Sequence, residues 1–553
     1  MDRQTRNGWL RARHGRSAAA DQIDSPRSIY DRRLRLESLE DRRLLTLFTV
    51  SNLNDAGDGS LRDAIGLANA SPRADTIDFA AELSGGAISL TGGELAITEA
   101  LTIDARPLAA NVTIDANQFS RIFNITATTG DFTLGGLTLT GGRTTGDNVN
   151  FDTTFRGGAV RSLTTGNLTL DQSTVSGNST RGSNADGGGI SAGTVTLVQS
   201  TVSGNSTSGN HASGGGIYTK NVTLTDSTVS GNSTRGSNAD GGGIWARYDV
   251  TLTQSTISGN STAGDFAHGG GIFAFNFSLV TAMTLTRSTV TDNQATHATA
   301  KGGGVFQFDR PYTHPFSING SIVAGNTAGV GGPDLVKDPE STLTVDYSLI
   351  GTGVTPTAGG NNVMTDNPEL APLANNGGST QTHAPLVGSP AIDAGDPSVA
   401  FNLAEFDQRG APFIRVFNGD GVGDARIDMG AFELITTAPA TSDFNSDGNF
   451  DGTDFLVWQR GVGATGGAAT RANGNADADD DVDARDLDVW KAQFGQSSAA
   501  SAAANHPSLA LPIEGRGPEK ASRAARDAVF ASGDFTRLFA PSESPWGRWR
   551  GRR

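Results

Sequence analysis

The residues best placed to do chemistry gather in two short acidic loops toward the C-terminal end. The first runs Asp443-Phe-Asn445-Ser-Asp447-Gly448-Asn449-Phe450-Asp451-Gly-Thr-Asp454, with oxygen side chains at loop positions 1, 3, 5, 9 and 12. Ca2+ takes about six to eight hard oxygen ligands at roughly 2.3–2.6 Å, and this spacing wraps them around one ion, with glycine at position 6 for the sharp turn. Phe450, at position 8, is expected to turn inward and pack the loop against its neighbour. A second copy follows 32 residues on as Asn475-Ala-Asp477-Ala-Asp479-Asp480-Asp481-Val482-Asp483-Ala-Arg-Asp486. A helix-like segment follows each loop, with a tryptophan four residues past the last ligand, at Trp458 and Trp490. Two copies in register favour metal loops over a solvated acidic linker. A module ordered by metal should unfold when the metal is chelated.

A second group of candidates depends on a repeat. Ser-Thr-Val-Ser-Gly-Asn begins at Ser173, Ser200 and Ser227, with variants from Ser255, Ser288 and Ser321, so the period is 27 residues, then 28, then 33. Each coil then carries a glycine cluster, starting at Gly187, Gly214, Gly241, Gly269 and Gly302, that leads into Ile190, Ile217, Ile244, Ile272 and Val305. Coils stacked about 4.8 Å apart turn these positions into columns. A second interior column is expected from Leu170, Leu197, Leu224, Leu252 and Leu285, and a third from Val175, Val202, Val229, Ile257, Val290 and Ile322. Three interior columns predict a three-sided solenoid, a right-handed parallel β-helix in an all-β chain. The aligned Asn178, Asn205, Asn232, Asn260, Asn293 and Asn326 predict a left-handed turn residue and a ladder of stacked amides, in preference to glycosylation sequons. Upstream, Gly59 to Asn69 reads as a helical lid with Ser60 as N-cap and Leu61, Ile65 and Ala68 on one face.

The residue before each glycine cluster forms a further column, Arg156, Asp186, Ser213, Asp240, His268 and Lys301, expected to point outward. Asp240, His268 and Lys301 would then lie about 5 and 10 Å apart on successive coils, close enough for acid/base work or for gripping an acidic sugar. A variable polar loop tip explains the same residues. A retaining glycosidase needs two carboxylates about 5 Å apart, and Asp186 and Asp240, two coils apart, fit that poorly. Asn418, Asp420 and Asp424 would suit either another calcium or a surface turn, while His211, His314 and His383 have no ligand spacing. Leu511-Pro-Ile-Glu-Gly515 has no hydrophobic tail after it and is not read as a sorting signal.

Composition agrees with short strands and many turns: 73 of 553 residues are glycine and charged residues make up only 18 %. The absence of cysteine excludes disulfides and thiolate metal sites. Net charge is −16, with arginines crowded into both ends (Arg32, Arg33, Arg35, Arg42, Arg43; Arg548, Arg550, Arg552, Arg553). Basic tails around an acidic body do not make a nucleic-acid-binding face. No apolar run reaches the roughly 18 residues of a membrane span, and Leu44 to Val50 is short even for a secretory core.

Three stretches resemble known families. Phe48-Thr-Val-Ser-Asn-Leu-Asn-Asp-Ala-Gly-Asp-Gly-Ser-Leu-Arg-Asp-Ala-Ile resembles the "CSLREA"-type start of bacterial surface β-helix proteins, without its cysteine. Asn375-Asn-Gly-Gly-Ser-Thr-Gln-Thr-His-Ala-Pro-Leu, Gly388 to Asp396, Asp407-Gln-Arg-Gly410 and Ile427-Asp-Met-Gly-Ala-Phe-Glu433 resemble the C-terminal region of choice-of-anchor Q domain proteins. The resemblance implies an exported bacterial β-helix. Leu36-Glu-Ser-Leu-Glu-Asp-Arg-Arg-Leu-Leu45 looks like a motif near the start of planctomycete exported proteins, which also implies an extracellular or cell-surface location.

The paired loops resemble a type I dockerin module over about residues 440 to 496. That resemblance carries calcium ligands onto Asp443, Asn445, Asp447, Asp451 and Asp454, and onto Asn475, Asp477, Asp479, Asp483 and Asp486, with backbone carbonyls from Asn449 and Asp481 at position 7. Asn475 loses one formal charge and Asp480 replaces the position-6 glycine at about 1 kcal/mol, so the second site should be the weaker. A cohesin partner is implied, although the family's Ser/Thr recognition pair reads Gly452-Thr453 and Ala484-Arg485 here.

The expected division is a basic export-like segment (1–46), a solenoid cap (47–84), the parallel β-helix (85–350), the choice-of-anchor Q-like region (351–435), the α-helical calcium-loop module (440–496), and an Ala/Ser linker from Ser497 to Ala504 with a basic tail to 553 that includes a candidate helix, Ala521 to Ala531. The expected function is a non-catalytic exported scaffold or adhesion protein, docked through calcium loops and able to meet a polysaccharide or cell-surface ligand. The alternative is a polysaccharide lyase or glycoside hydrolase carried on the same fold.

Overall fold

The computed structural model describes residues 46–496, apart from 72–73, 150–151, 277–281, 310–313, 403, 420–424, 436–440, 466–467 and 477–480. The basic N-terminal segment and its Leu36–Leu45 motif, the Ala/Ser stretch, the tail with Leu511–Gly515 and the Ala521–Ala531 segment lie outside the described residues, as do Asp420, Asp424, Asp477, Asp479 and Asp480.

The described chain is dominated by short parallel strands that stack coil upon coil into a parallel β-helix. Among the described residues, three long faces hold twelve, eleven and nine strands, and a fourth ladder has seven. One coil shows the plan. Val160–Ser162 lies on the third face, Asn167–Asp171 on the first, Thr174–Ser176 on the second, and Ser179–Thr180 on the short ladder. The glycine cluster then returns the chain to the third face at Ile190–Ser191. Alternation of apolar and Ser/Thr residues buries one side of most strands and leaves the other at the surface, while Thr228–Ser230, Thr256–Ser258 and Thr289–Thr291 are buried on both sides.

Pairing is in register, and the interior columns follow from it. Ile190, Ile217, Ile244, Ile272 and Val305 are successive partners, as are Leu170, Leu197, Leu224, Leu252 and Leu285. The third expected column needs one correction: Val290 pairs with Val323, while Ile322 pairs with Thr289 on the outer surface. Ile322 is nevertheless buried, because a later segment covers it with Ala391 and Met429. The short ladder adds an inward column that the three-sided expectation missed. Thr180, Thr207, Thr234 and Thr262 are fully buried there, and the hydroxyls of Thr207 and Thr234 donate to the carbonyls of Ala212 and Ala239 at 2.5 and 2.6 Å.

The asparagine ladder is continuous. Each of Asn178, Asn205, Asn232, Asn260 and Asn293 donates its backbone N–H and its side-chain amide to the Oδ1 of the next, and Asn326 donates to Asp334 at 2.9 Å. The left-handed residue at this turn is the one before the asparagine, Gly177, Gly204, Gly231, Gly259 and, with a side chain, Asp292. Glycine therefore makes the turn, and asparagine satisfies the buried backbone beside it.

Helix α1 (Leu61–Asn69) covers the first coils. Ser60 caps it by accepting the Asp63 N–H, and Leu61, Ala64, Ile65 and Ala68 face the core. Strands Leu47–Val50 and Asp75–Phe79 beside it already belong to the first face.

After the last ladder strand, Val363–Met364, the chain turns back as a strap along the outer surface of the second face. The outward hydroxyls of that face receive it. Thr228 donates to the Gln381 carbonyl and Thr256 to Gln408 Oε1, while Gln408 Nε2 donates back to Thr228 Oγ1. His383 Nδ1 lies 2.8 Å from the Ala371 carbonyl, which can only accept, so Nε2 takes the Ser258 hydroxyl at 2.7 Å. Thr228 and Thr256 are fully buried under the strap, whereas Thr174 and Thr201, earlier in the same column, stay half-exposed. The strap is held by a buried ionic knot: Arg409 pairs with Asp407 at 2.6 Å between the rings of Phe413 and Phe432, each 3.7 Å away.

Candidate functional site

The two acidic loops each end in a helix, α2 (Gly452–Gly461) and α3 (Ala484–Gln493). Asp451 and Asp483, at loop position 9, are the N-caps, and Asp454 and Asp486, at position 12, complete capping boxes by accepting the N-cap backbone N–H. The residue that closes each loop thus also starts each helix. The other carboxylate oxygen reaches back to the loop entrance, where Asp454 accepts the Phe444 N–H at 2.9 Å and Asp486 the Ala476 N–H at 2.5 Å.

Loop one is folded around its own acids. Asp443 accepts the N–H groups of Asp447 and Gly448 at 3.0 and 2.9 Å, Asn445 accepts Asp447 N–H at 2.9 Å, and Asp447 accepts Asn449 N–H at 2.9 Å. Gly448 is left-handed, the conformation its loop position demands. Asp443, Asp451 and Asp454 are buried, and burial, with Asp443 adding in the same sense, pushes the Asp454 carboxyl above its usual range. In loop two, carboxylate oxygens of Asp481, Asp483 and Asp486 lie within 4.8 Å of one another. The donor set is entirely oxygen, so it fits a hard divalent cation such as Ca2+ and offers nothing to soft metals. Asp443, Asn445, Asp447, Asp451 and Asp454 would hold it in loop one, and Asp481, Asp483 and Asp486 would contribute in loop two.

The two halves are interlocked by a near-exact exchange. Trp458 Nε1 donates to the Asp483 carbonyl at 2.8 Å, and Trp490 Nε1 donates to the Asp451 carbonyl at 3.0 Å. Gly463 N–H meets the Val482 carbonyl at 2.9 Å, and Gly495 N–H meets the Phe450 carbonyl at 2.8 Å. Phe450 is buried as expected, but its backbone pairs with Gly495 and Gln496, the segment after α3, and not with the other loop. Phe444, Ala476, Val489 and Trp490 form the small core between the halves.

The column of Asp240, His268 and Lys301 is arranged differently from the outward triad that spacing suggests. Each side chain accepts the backbone N–H one coil further on: Asp186 from Ser213 at 2.9 Å, Ser213 from Asp240 at 3.1 Å, Asp240 from His268 at 2.7 Å, and His268 Nδ1 from Lys301 at 3.1 Å. Arg156 Nε lies 2.9 Å from Asp186. Burial pushes the carboxyls of Asp186 and Asp240 up to about 7. Burial, with Lys301 nearby, lowers His268. Each of these groups gives one acceptor atom to the next coil, and Lys301 is exposed at the end of the row.

Beside this column runs an aromatic stack that the sequence expectations do not include. Tyr218, Trp245, Phe273 and Phe306 occupy the outward position after each inward isoleucine or valine, with neighbouring centroids 4.4, 6.4 and 5.4 Å apart and planes within 10°. Arg156 lies over Tyr218 at 4.9 Å and His268 stacks on Phe306 at 4.8 Å. The signal was available as the residue after each member of the isoleucine column. The rings turn their faces to one another and only their edges outward, so they stiffen the third face more than they offer a stacking platform.

His314 is buried 3.3 Å from Asp309. No helix among the described residues is long and apolar enough to cross a membrane. Comparison with protein-family models returned no match, and neither did comparison with curated proteins.

Proposed function

We propose that this protein is an exported, non-catalytic scaffold in which the parallel β-helix is a stiff presenting body and residues 441–496 form a type I dockerin-like module. In this proposal the module binds two calcium ions, the second more weakly, and docks on a cohesin-bearing partner. The observation that carries the proposal is the exchange of Trp458 and Trp490 between the loops, because it makes two all-oxygen loops one unit. Support for a non-catalytic β-helix comes from Asp186, Asp240 and His268, each of which gives one acceptor atom to a backbone N–H of the next coil. The strap with its Asp407–Arg409 knot supports a structural role for the choice-of-anchor Q-like motifs.

The test is capture of cohesin domains by the full chain with Ca2+ and with a chelator. Binding should require calcium and be lost in Asp443→Ala and Asp447→Ala. Release of reducing ends or unsaturated uronates from a polysaccharide panel, abolished by His268→Ala, would instead make the β-helix an enzyme.

A further inference from the structure

The first face carries an outward column that the assignment of a scaffold does not use. Thr76, Thr102, Thr133, Thr169, Thr196, Thr223, Thr251, Thr284, Ser317 and Thr344 are consecutive in-register partners, nine threonines and one serine without a break. All are half-exposed or exposed. Two residues along each strand, Thr225, Thr253 and Thr286 make a second column beside Thr223, Thr251 and Thr284, so Thr-Leu-Thr recurs on three successive coils. On those three coils the hydroxyls form a net with about 4.8 Å between rungs and about 6.6 Å along a strand, and the first column continues it as a single row. Ten rungs span roughly 43 Å. Apart from Thr169 and Thr196, which meet the Asn167 amide, the threonine hydroxyls of these two columns make no hydrogen bond to protein among the described residues.

Charge and shape decide what such a face can hold. The outward residues on the five strands from Thr194 to Asn319 are Thr194, Thr196, Val198, Asn221, Thr223, Thr225, Thr251, Thr253, Thr284, Thr286, Ser317 and Asn319, none charged and none aromatic, whereas Asp78, Asp104, Asp171 and Asp346 stand beside the column on the strands to either side. Asp226, Asp249 and Arg287 lie in the turns at the strand ends. An acidic or basic polymer finds no complementary field here. A sugar chain finds no ring to stack on, since the aromatic stack belongs to the third face. The second face has a similar Thr/Ser surface, but there the strap covers it from Thr228 onward with the Gln408 amide and the Gln381 carbonyl. What remains on these five strands is a rigid, uncharged, periodic array in which each threonine offers one methyl and one hydroxyl. Its β-branched side chain is stiff at χ1, so little conformational freedom is lost when a periodic ligand binds.

We propose that the threonine net of the first face is an ice-binding surface, with solid water as its ligand. Hydroxyls and methyls repeating in two directions would hold surface water in rows that continue into the ice lattice, a match that liquid water, having no fixed spacing, cannot make.

The test uses the full chain in thermal-hysteresis and ice-recrystallisation assays, and in partition into a slowly growing ice front. Wild type should shape and enter ice. Thr223→Lys and Thr251→Lys should abolish both effects with an unchanged thermal melt, because their side chains lie outside the core. Thr201→Lys, on the uncovered part of the second face, should behave as wild type. Wild type without hysteresis or ice partition overturns the proposal, as does equal loss in Thr201→Lys. Retention on crystalline cellulose or chitin that Thr223→Lys abolishes, without any ice effect, also overturns it and assigns the face to a polysaccharide.

Discussion

Trp458, on the helix that leaves the first acidic loop, donates its indole proton to the carbonyl of Asp483 in the second loop at 2.8 Å, and Trp490 returns the bond to Asp451 at 3.0 Å. Each helix thus reads the position-9 residue of the loop it does not follow. One indole and one carbonyl in each direction therefore link the two loops.

Trp458→Phe keeps a ring in the small core but removes the donor, leaving the Asp483 carbonyl without that partner. The loss should be about 1 kcal/mol, or roughly five-fold in affinity, and should fall on the second loop. Calcium titration in an Asp443→Ala background, where only the second loop is intact, measures it. An unchanged second-loop affinity would show that the exchange does not couple the loops.

Chelation should melt α2 and α3 while the parallel β-helix persists, since the loops gather carboxylates that repel one another without a cation. Far-ultraviolet circular dichroism should lose helical signal and keep its strand signal. A melting profile identical with and without chelator would count against calcium in both loops.

Asp240 links stability to pH. Its folded carboxyl is pushed up to about 7 by burial, against an ordinary value of 3.8, so the folded chain binds more protons than the unfolded chain between those values. The resulting stability is fully present below pH 4, falls as pH rises through 7, and is flat above that. Asp240→Asn retains an oxygen to accept the His268 N–H and carries no charge. It should stabilise the protein at pH 8 by about 1–3 kcal/mol and flatten the profile between pH 5 and 8. Asp186 titrates in the same window, so part of the slope should survive. Denaturant midpoints across pH 5 to 8 would check both.

Arg409→Ala removes the cation between Phe413 and Phe432 and leaves Asp407 buried without it. Loss of one partner from a buried pair costs about 3–5 kcal/mol. The strap should lift from the second face before the solenoid melts, which limited proteolysis would detect as early cleavage between residues 371 and 434. Cleavage at the wild-type rate would mean that the Thr228, Thr256 and Ser258 contacts suffice.

How much was legible follows from the range of each interaction. The isoleucine and leucine columns and the asparagine row were readable because a stacked coil repeats the same local requirement at each turn, so period alone reveals it. Ile322 was misplaced because its neighbour Val323 is equally apolar, and only the register with Thr289 and Val290 separates them. The Asp240 column was visible as a column, but its direction was not: whether a carboxylate points to solvent or caps the N–H of His268 depends on how the glycine turns stack.

By itself, the sequence determined the parallel repeat, the turn chemistry of glycine and asparagine, the Ser60-capped helix and the spacing of oxygen donors from Asp443 to Asp454, all of which depend on residues near in sequence or on one repeated period. Only the tertiary structure decided the exchange of Trp458 and Trp490, the burial of Thr228 and Thr256 beneath Gln408, and the exposure of the threonine column from Thr76 to Thr344. The physical reason is the same in each case. A hydroxyl or an indole has its local conformation set by its own strand or helix, but its partner is chosen by whichever distant segment the folded chain lays against it.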